Sequence, residues 1–507
     1  MMNNNCDIKM LFVNPCLRLN HPYKLLPVGL GMVMTYAENN GYEFDLLDID
    51  INDMDNDEVE KFIENNHYDI IAFGTIVTHY KWVKWFCKKI KFYHPDTKII
   101  VGNSVSGSCI DVFMKNIQAD FAVIGEGEIT FLELLDALRK NKDVYDIEGI
   151  AYRNGDGYKV NGKRKALKRV DEFPHVNWDY FDVEKYRSKK TSMIDDEDEN
   201  DMSFPVNTAR GCAFQCSFCH YVFWDDPYRH RSPDSIIDEI ERNIEKYGTT
   251  TIGFWDELSF AGLNQVEALS KRIIERKVEF RWSCATRTDL FGRPDRSRAK
   301  REYIAKLMKD AGCYSTGFSL ESANKEILKM MNKKVDKECF SEHITILKNA
   351  GIKTYTSIVF GYPIETKETI KETFDMCEQN HMYPSIGYLL PLPYTEMYEY
   401  AKKNGFITDE DAYLDSITER QNLCLNMTQM SNEEIINEIK IGAQRLNISL
   451  DLKFDKIKLI KTGGYKKIDD AGGMGGDIEK PEIIRNENDF SFNYSKSTFD
   501  ESTNPKK

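Results

Sequence analysis

The chain has 507 residues, 41% of them hydrophobic and 30% charged, enough apolar material for the cores of two or three domains and too much for a wholly disordered polymer. Its formal net charge of -14 argues against a surface built to neutralise nucleic-acid phosphates or anionic lipid, so the expected partner is a small molecule or a peptide, with no nucleic acid and no membrane. The start MMNNNCDIKM lacks the apolar core of a signal peptide and no apolar run nears the roughly 20 residues of a membrane span, so a cytoplasmic location is expected, where cysteines stay available as thiolates.

Residues 1–145 alternate strand-like runs (KMLFVN, YEFDLLDID, DIIAFGTI, KIIVGN and ADFAVIG) with helix-like segments such as VGLGMVMTYAENNG and YKWVKWFCKKIKFYHPD. That alternation predicts a five-stranded, doubly wound, flavodoxin-like α/β domain with ligands at the carboxyl ends of its strands. Residues 146–200 read as a linker: IAYRNGDGYKV forms a hairpin, and the acidic TSMIDDEDENDMS can bury little surface. From 201 to 425 six strands (PVNTA, TTIGFWD, FRWSCAT, YSTGFSLE, TYTSIVFG and IGYLLPL) separated by helices predict a six-unit partial TIM barrel with its active face at the loops after the strands. A helical extension, NEEIINEIKIGAQRL, is expected within 426–464, and the Gly-rich, charged tail 465–507 is expected to be disordered.

The first barrel strand runs straight into TARGCAFQCSFCHYVFW. Cys212, Cys216 and Cys219, spaced by three and then two residues, can turn three thiolates to three corners of a cubane and leave one iron open to a chelating substrate. The plainer alternative is a structural zinc site with His220 as fourth ligand, but the paired knuckles of such sites are missing. Cys284 and Cys313 fall in or beside barrel strands and read as buried, inert thiols.

This loop resembles the signature of the radical SAM superfamily, in which three cysteines at this spacing hold a 4Fe-4S cluster and an aromatic residue, here Phe218, precedes the third. The resemblance implies reductive cleavage of S-adenosylmethionine to a 5'-deoxyadenosyl radical, with an electron from a reductant such as flavodoxin or ferredoxin. Other segments resemble the family's strand ends in order. GFWDELSF puts Asp256 and Glu257 near the amino group of the methionine moiety, SCATRTDL and GFSLESAN put Arg287 and Glu321 toward the cofactor, and VFGYPIET puts Gly361 beside adenine or ribose. The chain departs from many relatives at Pro363-Ile364-Glu365 and Pro393-Tyr394-Thr395, where a central glycine is common. Its loss predicts altered turns there.

The amino-terminal segments LPVGLGMVMTYAENNGYEFDLLDID, DIIAFGTIVTHY, IIVGNSVSGS and ADFAVIGEGE resemble, in order, the cobalamin-binding domain that precedes the barrel in one radical SAM subgroup. The resemblance implies a corrin platform at Thr75, Gly102, Asn103, Gly125, Glu126 and Gly127. The Asp-x-His-x-x-Gly element that supplies a lower axial ligand is absent. His21 nearby reads as a solvated loop residue, and a cobalamin-free scaffold is the alternative for the domain.

Together the resemblances imply a cobalamin-dependent radical SAM methyltransferase acting on an unactivated carbon. Three alternatives remain: a cobalamin-linked radical cyclase or rearrangement enzyme, a radical methylthiotransferase, and a non-catalytic cofactor-binding sensor. The methylthiotransferase is disfavoured because Cys6, Cys16, Cys87 and Cys109 are dispersed and the end of the chain is polar.

Overall fold

In the computed structural model, residues 8–19, 24–189, 201–220, 226–454 and 459–460 are described. Strands β1 (Met10–Asn14), β2 (Asp45–Asp48), β3 (Ile70–Gly74), β4 (Lys98–Gly102) and β5 (Phe121–Val123) are joined by right-sized crossover helices and pair in parallel in the order β2-β1-β3-β4-β5. Side chains alternate across this sheet with period two: Met10 and Phe12 enter one core, Leu11 and Val13 the other. Helices Val28–Glu38 and Gly127–Arg139 cover the first face through Met34, Phe131 and Leu134. Asn56–Asn65, Tyr80–Tyr93 and Ile110–Asn116 cover the second through Ile63, Phe86 and Phe113. The aromatic run YKWVKWF is thus a packed helix, as its 3.6 period requires. Strand order reverses between β1 and β3, which opens a crevice at their carboxyl ends.

The hairpin expected in the linker belongs instead to this sheet. Strands β6 (Ile150–Asn154) and β7 (Gly157–Val160) continue it antiparallel beyond β5, making seven strands. The rest of the linker, up to residue 189, is also packed: Trp178 and Tyr186 are 0% exposed, and Val176 lies so close to the first helix that a Cβ on Gly31 would stand 2.6 Å from it. A few aromatic residues scattered among charges have no period to read, yet each buries a large area when two domains close over it. The acidic segment 191–200, His21 and the tail 465–507 lie outside the described residues.

The second sheet holds six parallel strands in consecutive order: β8 (Ser203–Val206), β11 (Thr251–Phe254), β12 (Arg281–Thr286), β13 (Cys313–Glu321), β14 (Lys353–Phe360) and β15 (Ser385–Tyr388). Between the first two, β9 (Ala209–Arg210) and β10 (Arg229–His230) form a two-stranded ribbon. Helices such as Pro233–Tyr247 pack outside. That helix starts at a Ser232 cap with proline in its first turn and stops at Gly248 in the left-handed region. Phe254, Trp282, Phe318 and Ile358 face these helices in the core, as expected for a partial barrel. Cys284 and Cys313 are both buried within it. The helix Asn432–Ser449 closes the structure against Lys367–Gln379, with Gly442 so near Phe374 that a Cβ would stand 2.1 Å from its ring.

Among the described residues no helix is long and apolar enough to cross a membrane.

Candidate active site

The cysteine loop leaves the ribbon at Gly211, whose φ of +84° makes the turn available to glycine at little cost. The loop is then fixed by a segment that sequence reading passed over, the turn after the helix Lys325–Met330. Ser217 N donates to Met331 O (2.9 Å), Ser217 Oγ donates to Met330 O (2.8 Å), and Asn332 Nδ2 donates to Gln215 O (2.6 Å). Tyr362 Oη lies 3.3 Å from Ser217 Oγ, and Met397 N donates to Ser217 O. Each contact fixes backbone between the cysteines, so the thiols are presented by a pre-formed loop. Nothing in the sequence MNKKV marked it; its signature is conformational, with Asn332 and Lys334 both at positive φ.

Cys212, Cys216 and Cys219 are free thiols. Burial pushes the Cys219 thiol up to about 12, with the charges of Cys216 and Cys212 adding to it and Lys333 opposing it. The Cys212 thiol is likewise raised, first by burial and then by Cys216. Thiolates in neighbouring positions disfavour one another, and a cationic cluster core, when bound, would favour the thiolate form instead. Among the described residues no three His, Cys, Asp or Glu side chains converge on one point able to hold a single ion. A cubane takes one thiolate per iron and does not require such convergence, so the donor set fits a 4Fe-4S cluster with one open iron. His220 turns Nδ1 to Pro393 O at 2.8 Å, and burial lowers it to about 4, so it is neutral with Nδ1 committed to the backbone.

The other expected cofactor contacts divide into two groups. Asp256 is occupied: its carboxylate accepts from Asn207 Nδ2, Thr208 N, Thr208 Oγ1 and Ala209 N at 2.7 to 3.2 Å. It therefore anchors the chain entering the cysteine loop. Arg287 is occupied as well, pairing with Asp289 at 3.0 Å, donating to Lys333 O and stacking 3.5 Å over the ring of Phe214 in the cysteine loop. Glu257, Phe218, Glu321 and Gly361 remain around the loop. Glu257 is exposed beside Asp256, and crowding by protein raises its carboxyl. Glu321 holds φ at +61° next to a β-bulge and pairs with Lys333 at 3.0 Å. Lys333 in turn lies 6.0 Å over Phe218, whose edge meets Tyr362. A non-glycine residue in that backbone region costs about 1–3 kcal/mol and marks an over-determined position. At Gly361 φ is +103°, while a Cβ would meet only ordinary contacts at 3.8 Å, so conformation rather than space demands glycine there.

Of the two turns lacking a family glycine, Pro393-Tyr394-Thr395 keeps the left-handed conformation all the same, with Tyr394 at φ +73°, whereas Ile364 does not adopt it. Tyr394→Gly is therefore expected to stabilise the fold by about 1 kcal/mol, read as a higher midpoint in chemical unfolding. Glu365, 2% exposed, accepts from Gly361 N and from Thr369 Oγ1, and burial pushes its carboxyl up to about 7. The folded state holds this proton more tightly than the unfolded chain. Its contribution is thus fully present below about pH 4.5 and is lost as pH rises through 7, a swing of about 3 kcal/mol. Unfolding free energies from pH 4 to 8 should show that fall in the wild type and a flatter profile in Glu365→Gln.

On the first domain, Thr75, Gly102 and Asn103 come together at the carboxyl ends of β3 and β4. Thr75 O accepts from Val105 N, Val77 N donates to Ser104 Oγ, and Asn103, at φ +66°, caps the short helix Ser104–Gly107. Ile76, in the same loop, leaves 43% of its surface exposed. Small residues and an uncovered apolar side chain at strand ends fit one face of a flat macrocycle. Gly125, Glu126 and Gly127 lie just past the end of β5, and Glu126 is reached from the second domain. Arg229 grips Glu126 at 2.6 and 3.2 Å, Arg210 pairs with Glu126 at 3.4 Å and with Glu128 at 2.5 Å, and Lys163 reaches Asp226. The ribbon that carries the cysteine loop is thereby clamped to the first domain.

Residues 206–377 match the family model described as Radical SAM superfamily, and residues 16–135 match the B12 binding domain. A protein of Pyrococcus horikoshii called uncharacterized methyltransferase PH0819 is 25% identical over 385 residues, covering 75% of this chain and 79% of that one. The anaerobic magnesium-protoporphyrin IX monomethyl ester cyclase of Rubrivivax gelatinosus is 26% identical over 389 residues, covering 74% and 66%. Among solved structures, the radical S-adenosylmethionine methyltransferase TsrM from Kitasatospora setae superposes with a TM-score of 0.61 at 20% identity, covering 78% of this chain and 76% of that one. A radical SAM domain works with a 4Fe-4S cluster and S-adenosylmethionine, and a B12-binding domain with cobalamin.

Proposed function

Because this chain is a radical SAM protein with a B12-binding domain ahead of its barrel, we propose that it is a cobalamin-dependent methyltransferase acting on an unactivated carbon of a small molecule or peptide. The observation that carries the reading is the joint between domains. Arg210 and Arg229 flank the cysteine loop and both pair with Glu126, just past the carboxyl end of β5 in the first sheet. A methyl carrier and a radical source serve one substrate atom only when held in fixed relation, and a buried clamp between their domains supplies that relation. The methyltransferase relative and structural neighbour favour methyl transfer over the cyclisation for which the Rubrivivax relative is named.

When bound, the cluster would supply the electron for reductive cleavage of the sulfonium bond of S-adenosylmethionine, and cobalamin would supply the methyl carrier. In this reading Cys212, Cys216 and Cys219 ligate three irons, and Glu257 receives the amino group of the methionine moiety. Asp256 and Arg287 position the loop rather than touch the cofactor. Phe218 and Gly361 flank adenine, and the Glu321–Lys333 pair borders the ribose side. Thr75, Gly102, Asn103, Gly125 and Gly127 form the corrin platform, and Glu126 holds it to the barrel. A flavodoxin- or ferredoxin-type protein delivers the electron at the exposed edge of the cysteine loop.

The test is metabolic. Cells fed methionine carrying a trideuterated methyl group, with the gene deleted or restored, are compared by mass spectrometry. The reading expects a gene-dependent product heavier by one deuterated methyl group. A gene-dependent product that carries no label would overturn it in favour of cyclisation or rearrangement.

A further inference from the structure

The inner face of the barrel carries a second feature that none of the cofactor contacts uses. On β12 to β15 most residues turned away from the helices are small: Ser283 and Ala285, Gly317 and Ser319, Ser357, then Ser385 and Gly387, with Tyr355 the large exception beside Gly317. Their neighbours Phe318, Ile358 and Ile386 are buried under the helices, while Ala285 is exposed and a Cβ on Gly317 would meet nothing within 4 Å. Space is therefore left on this face beside Ala285 and Gly317, where a closed barrel layer usually carries large side chains.

Three of these serines form one rung. Ser319 pairs in register with Ser357, and Ser357 with Ser385. Ser319 Oγ lies 2.9 Å from Ser357 Oγ, and Ser385 Oγ accepts from Arg420 Nη2 at 2.8 Å. Arg420 crosses the lumen face of β15. A Cβ on Gly387 would stand 3.3 Å from its Cγ, Cδ and Nη1, so glycine there leaves the guanidinium its room. The backbone holds it from both sides: Tyr388 N donates to Arg420 O at 2.6 Å, and the adjacent Glu419 pairs with Arg18 of the first domain at 2.6 Å. Half-buried Arg420 has no carboxylate within ion-pair distance among the described residues, in a chain whose net charge is -14. Asp and Glu elsewhere neutralise the other arginines of this barrel mouth: Arg229, Arg231 and Arg287 all have carboxylate partners.

We infer that Ser319, Ser357, Ser385 and Arg420 form a subsite for an anionic group of the substrate, a carboxylate or a phosphoryl group, two residues below the Glu321 level of the barrel. A partly desolvated guanidinium with a spare fork of donors binds such groups in a bidentate manner, and adjacent hydroxyls supply the remaining donors. The inference rests on the enzymatic reading, since it takes the barrel lumen as the substrate's place. It adds which end of the substrate is held, so that the reacting carbon projects toward the cysteine loop.

The experiment uses the full-length protein, reconstituted anaerobically, with inorganic phosphate and acetate as probes followed by NMR titration. Wild type is expected to bind one or both saturably. Arg420→Gln should weaken binding at least about tenfold, the scale of a lost charge-assisted pair, and Ser385→Ala less. Gly317→Phe, which fills the lumen without touching the arginine, should also block the probe and guards against misfolding of the arginine variant. S-adenosylmethionine affinity is measured alongside and should stay within about twofold in Arg420→Gln, given the same reasoning. Absence of probe binding to wild type, or equal binding by Arg420→Gln and Gly317→Phe, overturns the subsite. A parallel fall in S-adenosylmethionine affinity overturns it too, by assigning the arginine to the cofactor's own carboxylate. None of these readings passes through turnover, so failure here is distinct from failure to form 5'-deoxyadenosine, which bears on the enzymatic reading.

Discussion

Serine in place of Cys212, Cys216 or Cys219, one at a time, is expected to abolish cluster binding and with it cleavage of S-adenosylmethionine. The cause lies in the donor set. A hydroxyl is a harder and far weaker ligand than a thiolate, and no other described His, Cys, Asp or Glu side chain completes a metal-binding group at the loop. The loop itself should survive, because its fixed points are Ser217, Gln215 and Asn332 rather than the thiols. Iron and sulfide content, together with the electron paramagnetic signal of the reduced protein, check the first expectation. An unchanged unfolding midpoint of the metal-free variants checks the second. Loss of at least about a thousandfold in 5'-deoxyadenosine formation is the scale expected when an essential group is removed.

The second large effect falls on the clamp between domains. Arg229 is 7% exposed; it grips Glu126 at two oxygens and also donates to Leu167 O and Pro227 O. Arg229→Ala leaves the Glu126 carboxylate buried with only the longer contact to Arg210. Breaking such a pair from one side costs about 3–5 kcal/mol, because desolvation of the remaining charge is no longer offset. The double variant Arg229→Met with Glu126→Met should recover most of that stability, since two apolar groups replace the pair. It should nonetheless impair methyl transfer more than cleavage of S-adenosylmethionine, because the clamp sets the relation between domains and not the cluster. Chemical unfolding of both variants, with the two products measured separately, tests the argument. Equal loss of both products in a stable double variant would show that the clamp merely holds the fold.

Much of this architecture was legible in the sequence, and for a physical reason. Parallel strands buried on both faces must be continuous apolar runs, and crossovers must be helical, so the alternation from KMLFVN to ADFAVIG and from PVNTA to IGYLLPL could be read directly. The cysteine spacing was legible because cluster ligation demands a short loop. What could not be read were pairings between residues far apart in sequence. The carboxylate of Asp256, an expected cofactor contact, accepts hydrogen bonds from residues 207–209, about fifty positions earlier, which no spacing announces. Arg287 pairs with Asp289 and stacks on Phe214, a contact that no spacing could announce. The hairpin gave itself away as a hairpin but not as an edge of the first sheet, since register depends on the partner strand. Tyr394 shows the opposite failing: loss of a glycine suggested a different turn, and the turn persists at the expense of strain. Arg420 lay in a stretch without periodicity, where only the lumen it crosses gives it meaning.

The most direct test of the central claim is cofactor content and cleavage measured together on anaerobically purified, reconstituted protein. The account predicts a filled 4Fe-4S site, about one cobalamin per chain as one B12-binding domain allows, and 5'-deoxyadenosine on addition of reductant and S-adenosylmethionine. Full occupancy of the iron-sulfur site with no uptake of cobalamin would contradict it.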